Sequence, residues 1–190
     1  MDTPSVDQPS VDDKTPATFS NLTLELVGTY VSGNEFDTSS AEIVSYDQTT
    51  DRLYVVNAQD KSVDVLTFDA QGKPVKHSTI NLQSAATDAG ITIGAANSVV
   101  AKNGLVAVAI ENATKQDDGI IALYKSSDLS LINTFSAGAL PDMVTMTDDG
   151  HYIIAANEGE PNGDYSHDPE GSVTLINMSA GNTDEKAVVT

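Results

Sequence analysis

The chain has 190 residues, with 28 Asp and Glu against 9 Lys and Arg, and a formal net charge of −19. That balance excludes nucleic-acid binding, which needs a basic footprint to displace counterions, and adsorption to an anionic membrane surface. With no Cys there is no disulfide, thiolate metal site or Cys nucleophile, and no apolar run approaches the ~20 residues of a membrane-spanning helix.

Residues 1–20 contain Pro4, Pro9 and Pro16, four Asp and almost no large apolar side chain. They are expected to form a solvated acidic, Pro-rich linker. Such a segment often follows a signal or lipid-anchor cleavage site, so an exported protein is expected: periplasmic, cell-surface or extracellular, with the signal segment itself absent from this sequence; an ordinary frayed terminus is the competing reading. From Leu22 the pattern becomes short alternating runs: LTLELVGTY (22–30), RLYVVN (52–57), SVDVLTF (62–68), VKHSTINL (75–82), LVAVAI (105–110), GIIALY (119–124), LSLINTF (129–135), HYIIAAN (151–157) and GSVTLINM (171–178). Period-two alternation and β-branched residues predict strands. AQGKP (70–74) and Asp117-Asp118-Gly119 read as hairpin turns, and SAATDAG (84–90) as at most one helical turn. The fold class is all-β.

Internal repetition organises these strands. EIVSYDQTTDRLYVVN (42–57), NSVVAKNGLVAVAIEN (97–112) and DMVTMTDDGHYIIAAN (142–157) have one length and end in Asn57, Asn112 and Asn157. A third strand follows in every unit and a fourth in the first two. Unit starts 55 and 45 residues apart fit the repeat of a β-propeller built from four-stranded antiparallel blades. A β-sandwich offers no reason for the coincident Asn residues. About three blades, starting near 42, 97 and 142, cannot close a ring that usually takes four to eight. Residues 22–190 are therefore read as the N-terminal part of a larger propeller. The remainder of that ring, its C-terminal half, is the expected partner, and LTLELVGTY is placed to pair with the last blade.

Two constellations carry candidate chemistry. Glu42, Asn97 and Asp142 open the innermost strands of successive units, so their oxygens would ring one channel mouth, and Ca²⁺ accepts six to eight hard oxygen ligands. The alternative is that each side chain caps its own strand. The loop 158–171 holds Glu158, Glu160, Asp164, Asp168 and Glu170. Carboxylates so close repel unless water or a cation screens them. The loop lacks EF-hand spacing, and its irregularity favours Ca²⁺ over Mg²⁺. A solvated acidic loop without metal is the competing reading. His77, His151 and His167 are too scattered to build a His-rich zinc site, and no P-loop, G-x-S-x-G elbow or H-E-x-x-H motif occurs. The three Asn, at strand ends, suit turn formation.

The run PDMVTMTDDGHYIIAANEGEPNGDYSHDPEGSVTLINM (141–178), with AEIVSYD and GAANSVVAKNGLVAVAIE, resembles the choice-of-anchor I family of secreted bacterial propeller proteins. Its most specific part is ANEGEP…DY…DPEGSV. Some members bear alkaline-phosphatase-like or phytase-like names and some are linked to nucleotidase domains, so the resemblance implies hydrolysis of a small phosphoester, which without a His-rich zinc site would rest on calcium. It assigns no catalytic residue. Two other functions stay open: a non-catalytic propeller binding a surface ligand with calcium purely structural, and a lactonase-like calcium-dependent hydrolase using the channel-mouth ring.

Overall fold

A computed structural model describes residues 23–33, 35, 37–178 and, as backbone, 188–189. The expected linker over 1–20 lies outside the described residues. The alternating runs form three antiparallel four-stranded sheets, each a meander in chain order. The first contains β1 (Val44–Asp47), β2 (Arg52–Asn57), β3 (Ser62–Phe68) and β4 (Pro74–Asn81). The second contains β5 (Ile93–Lys102), β6 (Leu105–Asn112), β7 (Asp118–Lys125) and β8 (Leu131–Ala139). The third contains β9 (Pro141–Met146), β10 (Tyr152–Asn157), β11 (Ser172–Asn177) and the two-residue β12 (Val188–Val189).

The sheets stack face to face as blades, and the core lies between them. Tyr54, Val56, Val63 and Val65 of the first sheet pack with Val106, Val108, Ile110 and Tyr124 of the second. The alternate residues of the second sheet, Ala107, Ala109, Ile121 and Leu123, pack with Val144, Ile153, Ala155 and Ile176 of the third. The middle blade is thus covered on both faces, which is why its central strands are nearly continuous apolar runs. Burying each such Val, Ile or Leu contributes roughly 1.5–3 kcal/mol. The outer blades each keep one face open: Val44 and Tyr46 are 61% and 47% exposed on one, Met143 and Val173 50% and 49% on the other.

β1, β5 and β9 lie side by side as the innermost strands. The Ala101 N–H donates to Ser45 Oγ at 2.9 Å, and the Val144 N–H donates to Ser98 Oγ at 3.2 Å. Each serine side chain thereby satisfies a backbone donor on the next blade that no ladder reaches.

Three local expectations change. SAATDAG becomes a helix, α1 (Gln83–Ala89), because Ala85 and Ala86 bury against the first interface and Gly90, at φ 73°, ends it in the left-handed conformation. Asp118 and Gly119 belong to β7, and the turn sits at 113–117 instead. Residues 23–33 belong to no strand, and Leu24 and Leu26 are 84% and 85% exposed. A strand exists only where another edge receives its hydrogen bonds, and the described residues offer this segment none.

Candidate functional site

Antiparallel order brings the starts of β1, β5 and β9 to the same end of the stack as the ends of β2, β6 and β10. Asn57, Asn112 and Asn157 close those three second strands, as their spacing predicted. Two act as turn formers: Asn57 Oδ1 accepts the Asp60 N–H at 3.1 Å, and Asn112 Oδ1 the Thr114 N–H at 3.2 Å. Asn157 differs. It is buried, and its amide donates to Ser172 Oγ at 3.0 Å and Thr174 Oγ1 at 2.9 Å, linking β10 to β11.

The register of the middle blade sets Asn97 out of step with Glu42 and Asp142. Three residues before the closing Asn, Tyr54 pairs with Ser45 and Ile154 with Thr145, each three residues past Glu42 or Asp142, but Ala109 pairs with Ser98, one residue past Asn97. The reason is a shorter inner hairpin, turned by Asn103 and Gly104 alone, both at positive φ. Equal sequence length between the unit ends hides that shortened turn and the bulges in β5 that make up for it. Asn97 sits in the bulge between Ala96 and Ser98 and bonds inward, its Nδ2 donating to Glu111 Oε2 at 3.2 Å and to the Pro141 carbonyl at 3.1 Å. Glu42 is exposed and accepts from Ser39 Oγ at 2.5 Å, and Asp142 is exposed.

The loop between β10 and β11 is shaped by its own hydrogen bonds. Gly159, at φ 69°, lets its neck close: a Cβ there would lie 2.6 Å from the Pro169 carbonyl oxygen. Beyond the neck, Asn162 Oδ1 accepts the His167 N–H at 3.1 Å, and Asp164 Oδ1 accepts the Ser166 hydroxyl at 2.7 Å and its N–H at 3.1 Å. These bonds, led by the Ser166 hydroxyl, hold the Asp164 carboxyl below the ordinary carboxylate range. Glu158, Glu160, Asp164, Asp168 and Glu170 are all exposed. The loop leans on the 113–117 turn of the middle blade, where Gln116 Nε2 donates to the Glu160 carbonyl at 3.1 Å and Lys115 stands 4.0 Å from the Glu160 carboxylate. Among the described residues, no three Asp, Glu or His side chains gather closely enough to hold a metal ion. Asn97 is engaged with Glu111, and the loop acids stand apart in solvent.

Sequence reading passed over three buried carboxylates. Glu111 accepts from the Ala95 N–H and Asn97 at one end of the stack. At the opposite end Asp47 accepts from Ser126 Oγ at 2.5 Å, Thr50 Oγ1 at 2.9 Å and the Thr49 and Gly104 N–H groups, joining the first blade to the second. Tyr54 shares Ser126 Oγ at 2.7 Å, and Arg52 donates to the Ser126 carbonyl at 2.7 Å. A cleft of about 510 Å³ between the two inner hairpins opens beside Asp47. Burial opposes the Asp47 charge, but the hydrogen bonds outweigh it and hold its carboxyl below the ordinary range. Asp64, on the open face of the first blade, is buried beneath Lys76 at 2.7 Å and Tyr30 at 2.7 Å. Its carboxyl is also lowered: burial opposes the charge, and the Lys76 and Tyr30 bonds prevail. Burial, together with the bond to Asp64, pushes the Tyr30 phenol up to about 12. The signal for all three carboxylates was an acid at a strand position whose neighbours face a core.

Comparison with solved structures agrees on architecture. The chain is similar to the Dos1 propeller (15% identity, TM-score 0.56, 87% of this chain and 40% of that one). It is also similar to a luciferin-regenerating enzyme (11%, 0.57, 75% and 47%) and to Kuenenia stuttgartiensis hydrazine synthase (16%, 0.51, 79% and 37%). At such identities the likeness shows the fold alone, and the chain spans less than half the length of each of these proteins. No curated protein sequence matches the chain. The choice-of-anchor I domain model matches residues 42–190, covering all three blades. Three stacked four-stranded meanders and that match lead to one assignment: the chain belongs to the choice-of-anchor I domain family.

Proposed function

We propose that these blades are the N-terminal part of an exported, cell-surface β-propeller that works by recognition, offering its acidic loop end to a ligand. The observation that carries this reading is the rim at that end. The 158–171 loop is held in shape by its own hydrogen bonds and buttressed by Gln116 and Lys115 of the neighbouring blade, while its five acids stay exposed. A stiff rim carrying charge loses little entropy on binding, which favours a cationic surface ligand.

Calcium-assisted phosphoester hydrolysis and lactonase-like hydrolysis are the competing outcomes. One experiment separates the three. The purified protein is given a phosphomonoester, phytate and a simple lactone with and without millimolar Ca²⁺, and its melting is followed in parallel. Recognition predicts no turnover of any substrate, whether or not Ca²⁺ shifts the melt. Ca²⁺-dependent turnover abolished by Glu42→Ala or Asp142→Ala overturns it in favour of a hydrolase.

A further inference from the structure

We propose that residues 23–31 are the outermost strand of the blade that closes the ring, a strand whose three partners come from further blades of the complete polypeptide. The inference rests on the partial-ring reading above. Chain order is the first argument. In both complete crossings the outer strand precedes the inner strand of the next blade: β4 leads through α1 to β5, and β8 leads directly to β9. Residues 23–33 lead in the same way to β1, so they hold the chain position of an outer strand that has no sheet.

Placement is the second argument. The outer strand β8 packs on the third strand of the following blade, with Gly138 so close to Ser172 that a Cβ would lie 2.4 Å from its Oγ. Residues 23–31 meet the first blade in the same manner. The Tyr30 hydroxyl donates to Asp64 Oδ2 on β3, its third strand, at 2.7 Å, and a Cβ on Gly28 would touch Lys73 and Pro74 at 3.0–3.2 Å. Pro74 begins β4, while Asp64 pairs with Thr79 further along it, so the segment climbs beside the blade in the direction of β4.

Composition is the third argument. Leu24, Leu26, Gly28 and Tyr30 alternate with Glu25, Val27 and Thr29, a strand pattern, yet Leu24 and Leu26 stand in water. No backbone hydrogen bond joins residues 23–31 to any other described residue. N–H and C=O groups that meet no backbone partner among the described residues suit the open edge of an antiparallel sheet, where the alternate Leu side chains would gain cover.

The test is hydrogen exchange on the polypeptide carrying the complete propeller, combined with oxidative footprinting of Met143 on the open face of the third blade. The expected result is slow exchange at 23–31, comparable with β8, and protection of Met143. In that protein Leu26→Pro, which removes one ladder donor, should speed exchange at 23–31 by about tenfold or more while β6 is unchanged. Leu26→Asp, which keeps the backbone donor, should weaken the same protection should the proline variant fail to fold. Protected Met143 with freely exchanging 23–31 overturns the inference and leaves the ring intact. Oxidisable Met143 overturns the ring reading itself. Protection that appears only in a concentration-dependent dimer assigns the strand to a second copy of the chain and also overturns the inference.

Discussion

Asp47 at the hairpin end of the blade stack and the acids of the 158–171 loop at the other use their charge in opposite ways. At the hairpin end, Asp47 is 1% exposed and accepts four hydrogen bonds from two blades. In the 158–171 loop, five acids lie in solvent, and among the described residues Lys115 is the basic side chain within 4.0 Å of one of them. One end uses an acid as a fastener, where water is excluded and each bond counts. The other displays acids, where water screens them and each contributes little to stability. The surplus of negative charge is therefore two quantities with different physics.

The sharpest way to break the contrast is Asp47→Ala. It strands the Thr50, Ser126 and Gly104 donors in a buried site, so the protein should lose about 3 kcal/mol in urea unfolding. A loss under about 1 kcal/mol would mean that water replaces the carboxylate and that Asp47 is no fastener. Next is Gly138→Ala at the other blade interface. Its Cβ would enter Ser172 Oγ at 2.4 Å, and overpacking of this kind costs about 1–3 kcal/mol, read as a lower melting temperature.

Acid should separate the two ends as well. Asp47 and Asp64 titrate lower in the fold than in the unfolded chain. Their contribution is then fully present above the unfolded value, roughly pH 4, and is lost as pH falls through the folded one. Urea midpoints should drop between pH 7 and pH 3, and the drop should shrink in Asp47→Asn. The smallest effect belongs to the display end. Glu160→Gln, Asp168→Asn and Glu170→Gln should each change unfolding free energy by less than about 0.5 kcal/mol. A larger change in any of them would place that acid in a structural role.

Much of the architecture was legible because strand alternation and turn residues are local signals. The units at 42–57 and 142–157 keep matching registers, so their Asn residues fall at equivalent strand ends. The middle unit misled through length alone: a two-residue turn and bulges in β5 sum to the same spacing, and no residue count can tell them apart. Asn97 is out of step with Glu42 and Asp142 for that reason. SAATDAG was too short for a helical period, and it folds because the interface takes Ala85 and Ala86.

By itself the sequence determined the strands, the blade repeat, the Asn-terminated second strands and the family. Each depends on residues near one another or on patterns that recur. The tertiary structure alone decided which acids are buried, because that depends on partners far along the chain. Asp47 meets Ser126 across 79 residues, and Asp64 meets Tyr30 across 34. It also decided that residues 23–31 remain without a sheet, since pairing needs an edge to receive it and alternation supplies only half of that contact.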